Sequence, residues 1–326
     1  MVVEISVICL TYNSDINKLL TTLNSVIEQK NCKFEIIIAD DGSSYNKFEE
    51  VKSFLAAKNF ENYKLIPNAE NKGIIKNFLS AIKLANGKYI KYISPGDYLY
   101  DEYTLEFICE FMNKYNAPVA FGKAVYYSDV SGELTILKKM SPVVTKIYDP
   151  SKRYNYCTVL KHIMLYGDPV LGAAIVANRS EFEHYLNEIK DIVVYIEDNT
   201  ILPLLTLDKK RIYYIDRYIL WYEYKSGIST SKNDGFTKKI RLDFFNCYRY
   251  ITNKYPSDFM LKIGFLKRKY TFLSNKVALF FLKRVFIDLL YGKIFYRLER
   301  MKTECQIDVT TIDKMHYYAW KNWRRS

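Results

Sequence analysis

The stretch Phe34-Glu35-Ile36-Ile37-Ile38-Ala39-Asp40-Asp41-Gly42-Ser43-Ser44 decides the fold. Its unbroken apolar run, three β-branched residues followed by alanine, reads as a strand buried on both faces. Two carboxylates stand at its carboxyl end. Gly42, Ser43 and Ser44 then supply turn and helix-cap chemistry. In an open α/β sheet that end of a strand is where ligands bind. Adjacent aspartates there accept hydrogen bonds from a base or ribose, or hold a cation. A plain strand, turn and N-cap without a ligand uses the same residues.

The flanking sequence extends the pattern. Residues 4–10 read as a preceding strand that ends in the polar loop Thr11-Tyr12-Asn13-Ser14-Asp15. Residues 16–29 place Ile16, Leu19, Leu20, Leu23, Val26 and Ile27 at helical spacing. Phe48, Val51, Phe54 and Leu55 mark a second helix, and residues 63–66 a strand stopped by Pro67. A third helix runs through Ile75, Phe78, Leu79, Ile82 and Leu84, with Asn86-Gly87 expected to end it. Residues 88–93 form a fourth strand before Ser94-Pro95-Gly96-Asp97. This alternation predicts a doubly wound sheet with helices on both faces. The loops at 11–13, 40–43 and 94–97 should gather along one edge.

Further on, the spacing predicts a helix over 104–115, a strand over 118–127 and a hairpin and loop over 128–150. A helix over 154–165 and the turn Gly167-Asp168-Pro169 lead into a buried strand over 170–177. Helices follow at 181–189 and 199–207, and a strand or hairpin at 211–224. Residues 225–235 read as a loop or boundary, and helical spacing with mixed basic and aromatic residues dominates beyond about 236.

The chain has 326 residues and is 49% hydrophobic, enough for one large α/β domain with an appendage. Thirty tyrosines suit sugar stacking and interfaces, although a general compositional bias gives the same count. No two of Cys9, Cys32, Cys109, Cys157, Cys247 and Cys305 form a C-x-x-C pair, which suggests reduced thiols in a cytoplasmic protein. Met1-Val2-Val3-Glu4-Ile5-Ser6 reads as the approach to a first strand rather than a signal peptide. No apolar run reaches the length of a membrane span. The absence of G-x-G-x-x-G and of G-x-x-x-x-G-K-[ST] argues against dinucleotide oxidoreductases and P-loop enzymes. His162, His184 and His316 lack zinc spacing. The net charge of +12 is concentrated: residues 238–300 hold 15 Lys/Arg against Asp243, Asp258, Asp288 and Glu299. Such asymmetry implies an acidic partner surface, whether lipid, nucleic acid or phosphate-bearing substrate.

Six motifs occur in order: Val7-Ile8-Cys9-Leu10-Thr11-Tyr12-Asn13, Ile38-Ala39-Asp40-Asp41-Gly42-Ser43, Asn71-Lys72-Gly73, Gly87-Lys88-Tyr89-Ile90, Ser94-Pro95-Gly96-Asp97 and Glu197-Asp198. Together they resemble the family 2 glycosyltransferases of the GT-A fold, over residues 5–231. The resemblance implies an α/β, Rossmann-like mixed sheet flanked by helices in residues 1–225. Residues 226–326 would form a basic, aromatic helical extension. It implies a nucleotide-sugar donor, a UDP-sugar favoured, at Thr11, Tyr12, Asn13, Asp40, Asp41, Lys72 and Gly96. Thr11 and Tyr12 would hold the base, Asp41 or Asp40 would accept from its ring nitrogen, and Lys72 would lie near base or phosphates.

The family usually follows its fourth strand with Asp-x-Asp-Asp, and this chain keeps only the last aspartate. Asp97 is then the protein ligand expected for a divalent cation, Mn2+ or Mg2+, bridging the two phosphates; capping the next turn is its other reading. The resemblance makes Asp198 the general base of an inverting transfer. Glu197 would position it or bind the acceptor. Asp168 and Trp221 fall on the acceptor side, although an aspartate in a turn before proline has a structural explanation too. The stretch Trp221-Tyr222-Glu223-Tyr224-Lys225-Ser226-Gly227-Ile228-Ser229 resembles the approach to a flexible lid. The processive Q-x-x-R-W is missing, so a single sugar should be moved.

Residues 277–290, with Lys276, Lys283, Arg284, Lys293 and Arg297, suit an interfacial helix on an anionic leaflet. Trp320-Lys321-Asn322-Trp323-Arg324-Arg325 suits an anchor there. Packing against the catalytic domain, or against a second subunit in a homo-oligomer, is the alternative. Many relatives act on lipid-diphosphate-linked glycans at the inner face of a bacterial membrane. The resemblance therefore implies a glycan or lipid-linked acceptor in O-antigen or capsule synthesis, and a cytoplasmic, peripheral location. Two rivals stand beside it. A nucleotidyltransferase would need a Gly-rich basic loop after the first strand, which Thr11-Tyr12-Asn13 lacks. A non-catalytic basic module would bind nucleic acid or membrane in a salt-dependent way and ignore sugar nucleotides.

Overall fold

The computed structural model describes residues 2–130, 133–137, 139–224 and 234–285, together with Ile294. Strands β1 (Ile5–Thr11), β2 (Phe34–Asp40), β3 (Tyr63–Pro67) and β4 (Tyr89–Ile93) run parallel, in the spatial order β3-β2-β1-β4. They are joined by helices α1 (Ile16–Ile27), α2 (Phe48–Ala57) and α3 (Ile74–Ile82). The unbroken apolar run of β2 has a direct cause. Ile37 and Ala39 enter one core with Phe78 and Ile82 of α3, while Ile36 and Ile38 enter the opposite core with Leu23 of α1 and Val51 of α2.

The remaining strands make the sheet mixed. They are β5 (Tyr98–Leu99), β6 (Val119–Val130), β7 (Glu133–Leu137), β8 (Ile175–Asn178) and β9 (Ile212–Glu223). β8 lies antiparallel between β4 and β6, β9 runs parallel to β6, and β5 closes the edge antiparallel to β9. Consequently β1, β2, β4 and β9 all end on the same edge. The loops at 11–13, 40–43 and 94–97 meet there, as the alternation required, and Glu223 arrives from β9. The helices of this half are α4 (Thr104–Tyr115), α5 (Tyr156–Lys161), α6 (Arg179–Ile189) and α7 (Glu197–Leu207).

Three local expectations are corrected. Asn86-Gly87 does not stop α3, which ends at Ile82 with Lys83 as its cap. Gly87 instead donates its N–H to Ser6 Oγ at 2.9 Å and lies so close to the β1 backbone at Ile5 and Ser6 that no side chain fits. The helix over 154–165 breaks into α5 and a π-helical turn, His162–Tyr166. The strand over 170–177 is shorter, because Gly172–Ala174 is a 3-10 turn before β8.

Helices α8 (Asp234–Lys254), α9 (Phe259–Phe272) and α10 (Lys276–Val285) follow. Cys247, Tyr248, Ile251 and Leu261 are buried in the same core as Ile201, Leu204 and Leu205 of α7. Two polar links add to this packing. The Asp243 carboxylate accepts from the N–H groups of Val194 and Tyr195 at 2.9 and 2.7 Å. Pro203 lies inside α7 and has no N–H to offer the Asn199 carbonyl. The Cys247 thiol, 3.8 Å away, donates to that carbonyl instead. Leu282 of α10 is buried beside Leu165 and Ile263, whereas Phe280 and Phe281 are exposed. Residues 225–229 of the lid-like stretch, residues 286–290, Lys293, Arg297, Cys305, His316 and the 320–325 anchor lie outside the described residues. The other five cysteines are free thiols.

Candidate active site

The first two loops brace each other. Asp40 is buried and accepts from Ser43 N, Ser43 Oγ and Thr11 Oγ1 at 2.8, 2.6 and 3.1 Å. Asn13 takes a left-handed conformation, donates its N–H to Ser43 Oγ and accepts from Ser44. Asp41 holds the third motif: its two oxygens accept from Lys72 N and Gly73 N at 2.8 and 2.9 Å. Burial pushes the Asp41 carboxyl up, against the pull of those two N–H groups. Thr11, Asn13 and Asp40 thus build the rim, while Tyr12, 48% exposed, and the Lys72 side chain face outward from it.

Across the edge, Glu197 and Asp198 occupy the first turn of α7. Asp198 Oδ1 accepts from Asn199 N and Nδ2 at 2.7 and 2.8 Å. Burial raises the Asp198 carboxyl, opposed by the Asn199 hydrogen bonds, and raises Glu197 further because Asp198 stands beside it. Two adjacent carboxyls in a buried place titrate as a pair and resist double ionisation. Gly172 completes this corner. A methyl group there would meet Asp198 Oδ2 at 2.8 Å and the Tyr92 hydroxyl at 2.9 Å. The missing side chain therefore lets a carboxylate and a phenol pack directly against the Gly172 backbone.

A family model described as glycosyl transferase family 2 matches residues 6–172, just over half the chain. The chain belongs to that family. A Dictyostelium discoideum protein, the bifunctional glycosyltransferase pgtA, is 37% identical over 82 residues, which are 25% of this chain and 10% of the relative. The chain therefore spans about a tenth of that curated relative's length. Among solved structures, S. aureus TarS 1–349 superposes with a TM-score of 0.54 at 18% identity, covering 96% of this chain and 91% of TarS 1–349. Its complex with UDP-GlcNAc gives 0.53 at 19% over the same shares. At this identity the likeness establishes the fold, a GT-A mixed sheet flanked by helices.

In this glycosyltransferase the acceptor-side expectations need correction. Asp168 is fully buried and accepts from Val143 N and Val144 N at 2.6 and 3.1 Å, with His162 Nδ1 at 3.3 Å. It ties the loop after β7 to the π-helical turn. Trp221 is also fully buried, stacks on Tyr100 with ring centroids 5.5 Å apart, and donates Nε1–H to the Tyr100 carbonyl. Neither side chain is presented to a substrate.

The residues at the fourth-strand loop fit a divalent cation poorly. Transferases of this fold commonly use a divalent cation, which needs several oxygens held open to it. Asp97 is only 4% exposed, and its Oδ1 accepts from Glu223 N at 3.0 Å. Burial pushes its carboxyl up to about 7, opposed by the Glu223 N–H and by Lys91. Gly96 has no oxygen in its side chain; its carbonyl accepts from Tyr127 and its N–H donates to Thr22 Oγ1 at 3.0 Å. Gly96 is buried too, covered by the Glu223 carboxylate, so it is not open to a nucleotide either. Among the described residues, no group of three or more His, Cys, Asp or Glu is placed to hold a metal.

The pattern reading missed Lys18, Lys91, Tyr92, and the role of Glu223. Lys91 is fully buried in β4 and donates Nζ to the carbonyls of Tyr92 and Ala173. Burial brings it down to about 7, with Asp97 opposing. A lysine inside an otherwise apolar buried strand was the available signal. Glu223 lies 126 residues beyond Asp97, too far for any local pattern.

Proposed function

We propose that the protein is an inverting transferase that moves one sugar from a nucleoside-diphosphate sugar, a UDP-sugar favoured, to an acceptor hydroxyl. The observation that carries this is the Asp198 carboxylate packed against Gly172 in the first turn of α7, on the edge where the donor-type loops meet. The nucleotide would lie on the rim, with Tyr12 and Lys72 reaching it and Asp41 holding the Lys72 loop. Asp198 takes the proton as the hydroxyl oxygen attacks the anomeric carbon, and the bond to the diphosphate breaks on the opposite face. The two adjacent buried carboxyls titrate together and resist double ionisation, so the pair favours one negative charge. The N-terminus of α7 favours that single anion. The solved TarS complexes with UDP and UDP-GlcNAc support the donor class.

The test is Asp198→Asn. Transfer assayed with UDP-, GDP- and dTDP-sugars should fall by about 100-fold or more, with UDP affinity retained and an inverted anomeric configuration in the native product. Full activity in the variant removes the assignment. The acceptor is expected to be a glycan or lipid-diphosphate-linked glycan of a surface polysaccharide such as O-antigen or capsule. One further observation favours work at a membrane surface. Phe259, Phe272, Leu273, Val277, Phe280 and Phe281 are exposed on α9, α10 and the turn between them, amid Lys262, Lys269, Lys276, Lys283 and Arg284. Among the described residues no helix is long and apolar enough to cross a membrane. Flotation with phosphatidylglycerol vesicles but not with phosphatidylcholine vesicles is the expected result.

A further inference from the structure

Gly96 stands where the family pattern places the second aspartate of Asp-x-Asp-Asp. Its φ of +98° suits glycine, and the space its side chain would fill is taken by the Glu223 carboxylate reaching over from β9. A carboxylate from β9 thus stands where the family pattern has one from the loop after the fourth strand. Its counter-ion differs too: Lys18 Nζ lies 2.5 Å from Glu223 Oε1, and a dication at this carboxylate would have to displace that ammonium.

We propose that the Lys18 ammonium, held by Glu223, binds the donor's diphosphate in the place where relatives use a divalent cation. This rests on the nucleotide-sugar reading and adds to it the group that meets the phosphates. Lys18 belongs to the first turn of α1, immediately after the loop that carries Tyr12, and Asp15 caps that turn by accepting from Lys18 N at 3.0 Å. An ammonium has three donors. Among the described residues Glu223 takes one, and the side chain is 37% exposed, so two remain for an anion. The stem is aimed by the same loop it replaces. Thr22, four residues on and therefore on the same helix face, accepts from Gly96 N and donates to the Asp97 carbonyl at 2.9 Å. Asp97 in turn fixes Glu223 through its N–H. A lysine point charge is a competent phosphate ligand. Backed by one carboxylate it is net neutral, as a dication is between two.

The experiment is calorimetric titration with UDP, and with uridine as the probe without phosphates, in EDTA and in Mn2+. Native protein should bind UDP equally in both. Lys18→Met should weaken UDP by about 10–100-fold and leave uridine unchanged. Because that variant strands the Glu223 carboxylate, the double variant Lys18→Met/Glu223→Gln is the control. It should melt like native protein and still show the UDP loss, while Lys18→Arg should keep most of the affinity. Native binding that requires Mn2+ overturns the proposal. So does a Lys18→Met protein that binds UDP normally, or one that loses uridine in equal measure. Failure of native protein to bind UDP, GDP or dTDP at all would instead bring down the donor reading, and this proposal with it.

Discussion

Asp168 and Asp198 carry the same side chain in opposite situations. Asp168 has both oxygens committed to backbone N–H groups in the interior, whereas Asp198 sets Oδ1 on Asn199 and Oδ2 against the Gly172 backbone. Only the second stands in the first turn of a helix, on the edge where the donor-type loops meet. Gly172→Ala would push a methyl against Asp198 Oδ2 and the Tyr92 hydroxyl. Its expected effect is a loss in kcat/KM for the acceptor with UDP affinity intact, read by steady-state kinetics beside calorimetry. Glu197 gives a prediction with a definite sign. Its folded pKa is raised by burial and by Asp198, so its stabilising contribution is complete below the unfolded value of about 4.3 and is lost as pH rises through the folded one. Glu197→Gln lacks that loss. Thermal melts from pH 5 to 9 should show native protein falling behind the variant as pH rises; parallel curves would show that the carboxyl is not perturbed.

At the scale of elements, Asp168 joins the π-helical turn to the loop after β7. Asp168→Ala leaves two buried N–H groups unpaired, each worth roughly 1–3 kcal/mol, so urea unfolding should report a loss of about 2–6 kcal/mol. The donor affinity of the folded fraction should not change, which separates this role from acceptor binding. The parallel half of the sheet was legible because β1, β2 and β4 are buried on both faces and their loops are short and polar. The mixed half was harder. β5 is two residues long, below any periodic signal, and exists because Tyr98 and Leu99 pair with Trp221 and Leu220. The site divides in the same way. Asp40, Asp41 and Glu197-Asp198 lie beside the elements that place them, so local sequence marks them. Lys18 and Glu223 act together across 205 residues, and only the end of β9 on the donor edge brings them into contact.

For the whole molecule, the decisive contact is that of the C-terminal helices with the catalytic half. Cys247, Tyr248, Ile251 and Leu261 fill the core that α7 lines. A chain cut after residue 233 would expose that face. It should accumulate as insoluble protein or show non-cooperative melting by far-UV circular dichroism, whereas one cut after residue 285 should melt cooperatively; a well-behaved shorter chain would contradict the shared core. The gap that Pro203 leaves in α7 has a consequence in time. The carbonyl of Asn199, next to the base, finds its donor 48 residues downstream in Cys247, and the segment leading into the acidic pair is held by Asp243. During synthesis the loops at 11–13, 40–43 and 72–73 emerge within the first hundred residues and Glu223 follows to hold Lys18, while the turn that bears Asp198 waits longest, for residues 243–247 to leave the ribosome. The nascent chain therefore acquires its grip on the nucleotide before it acquires the group that starts the reaction.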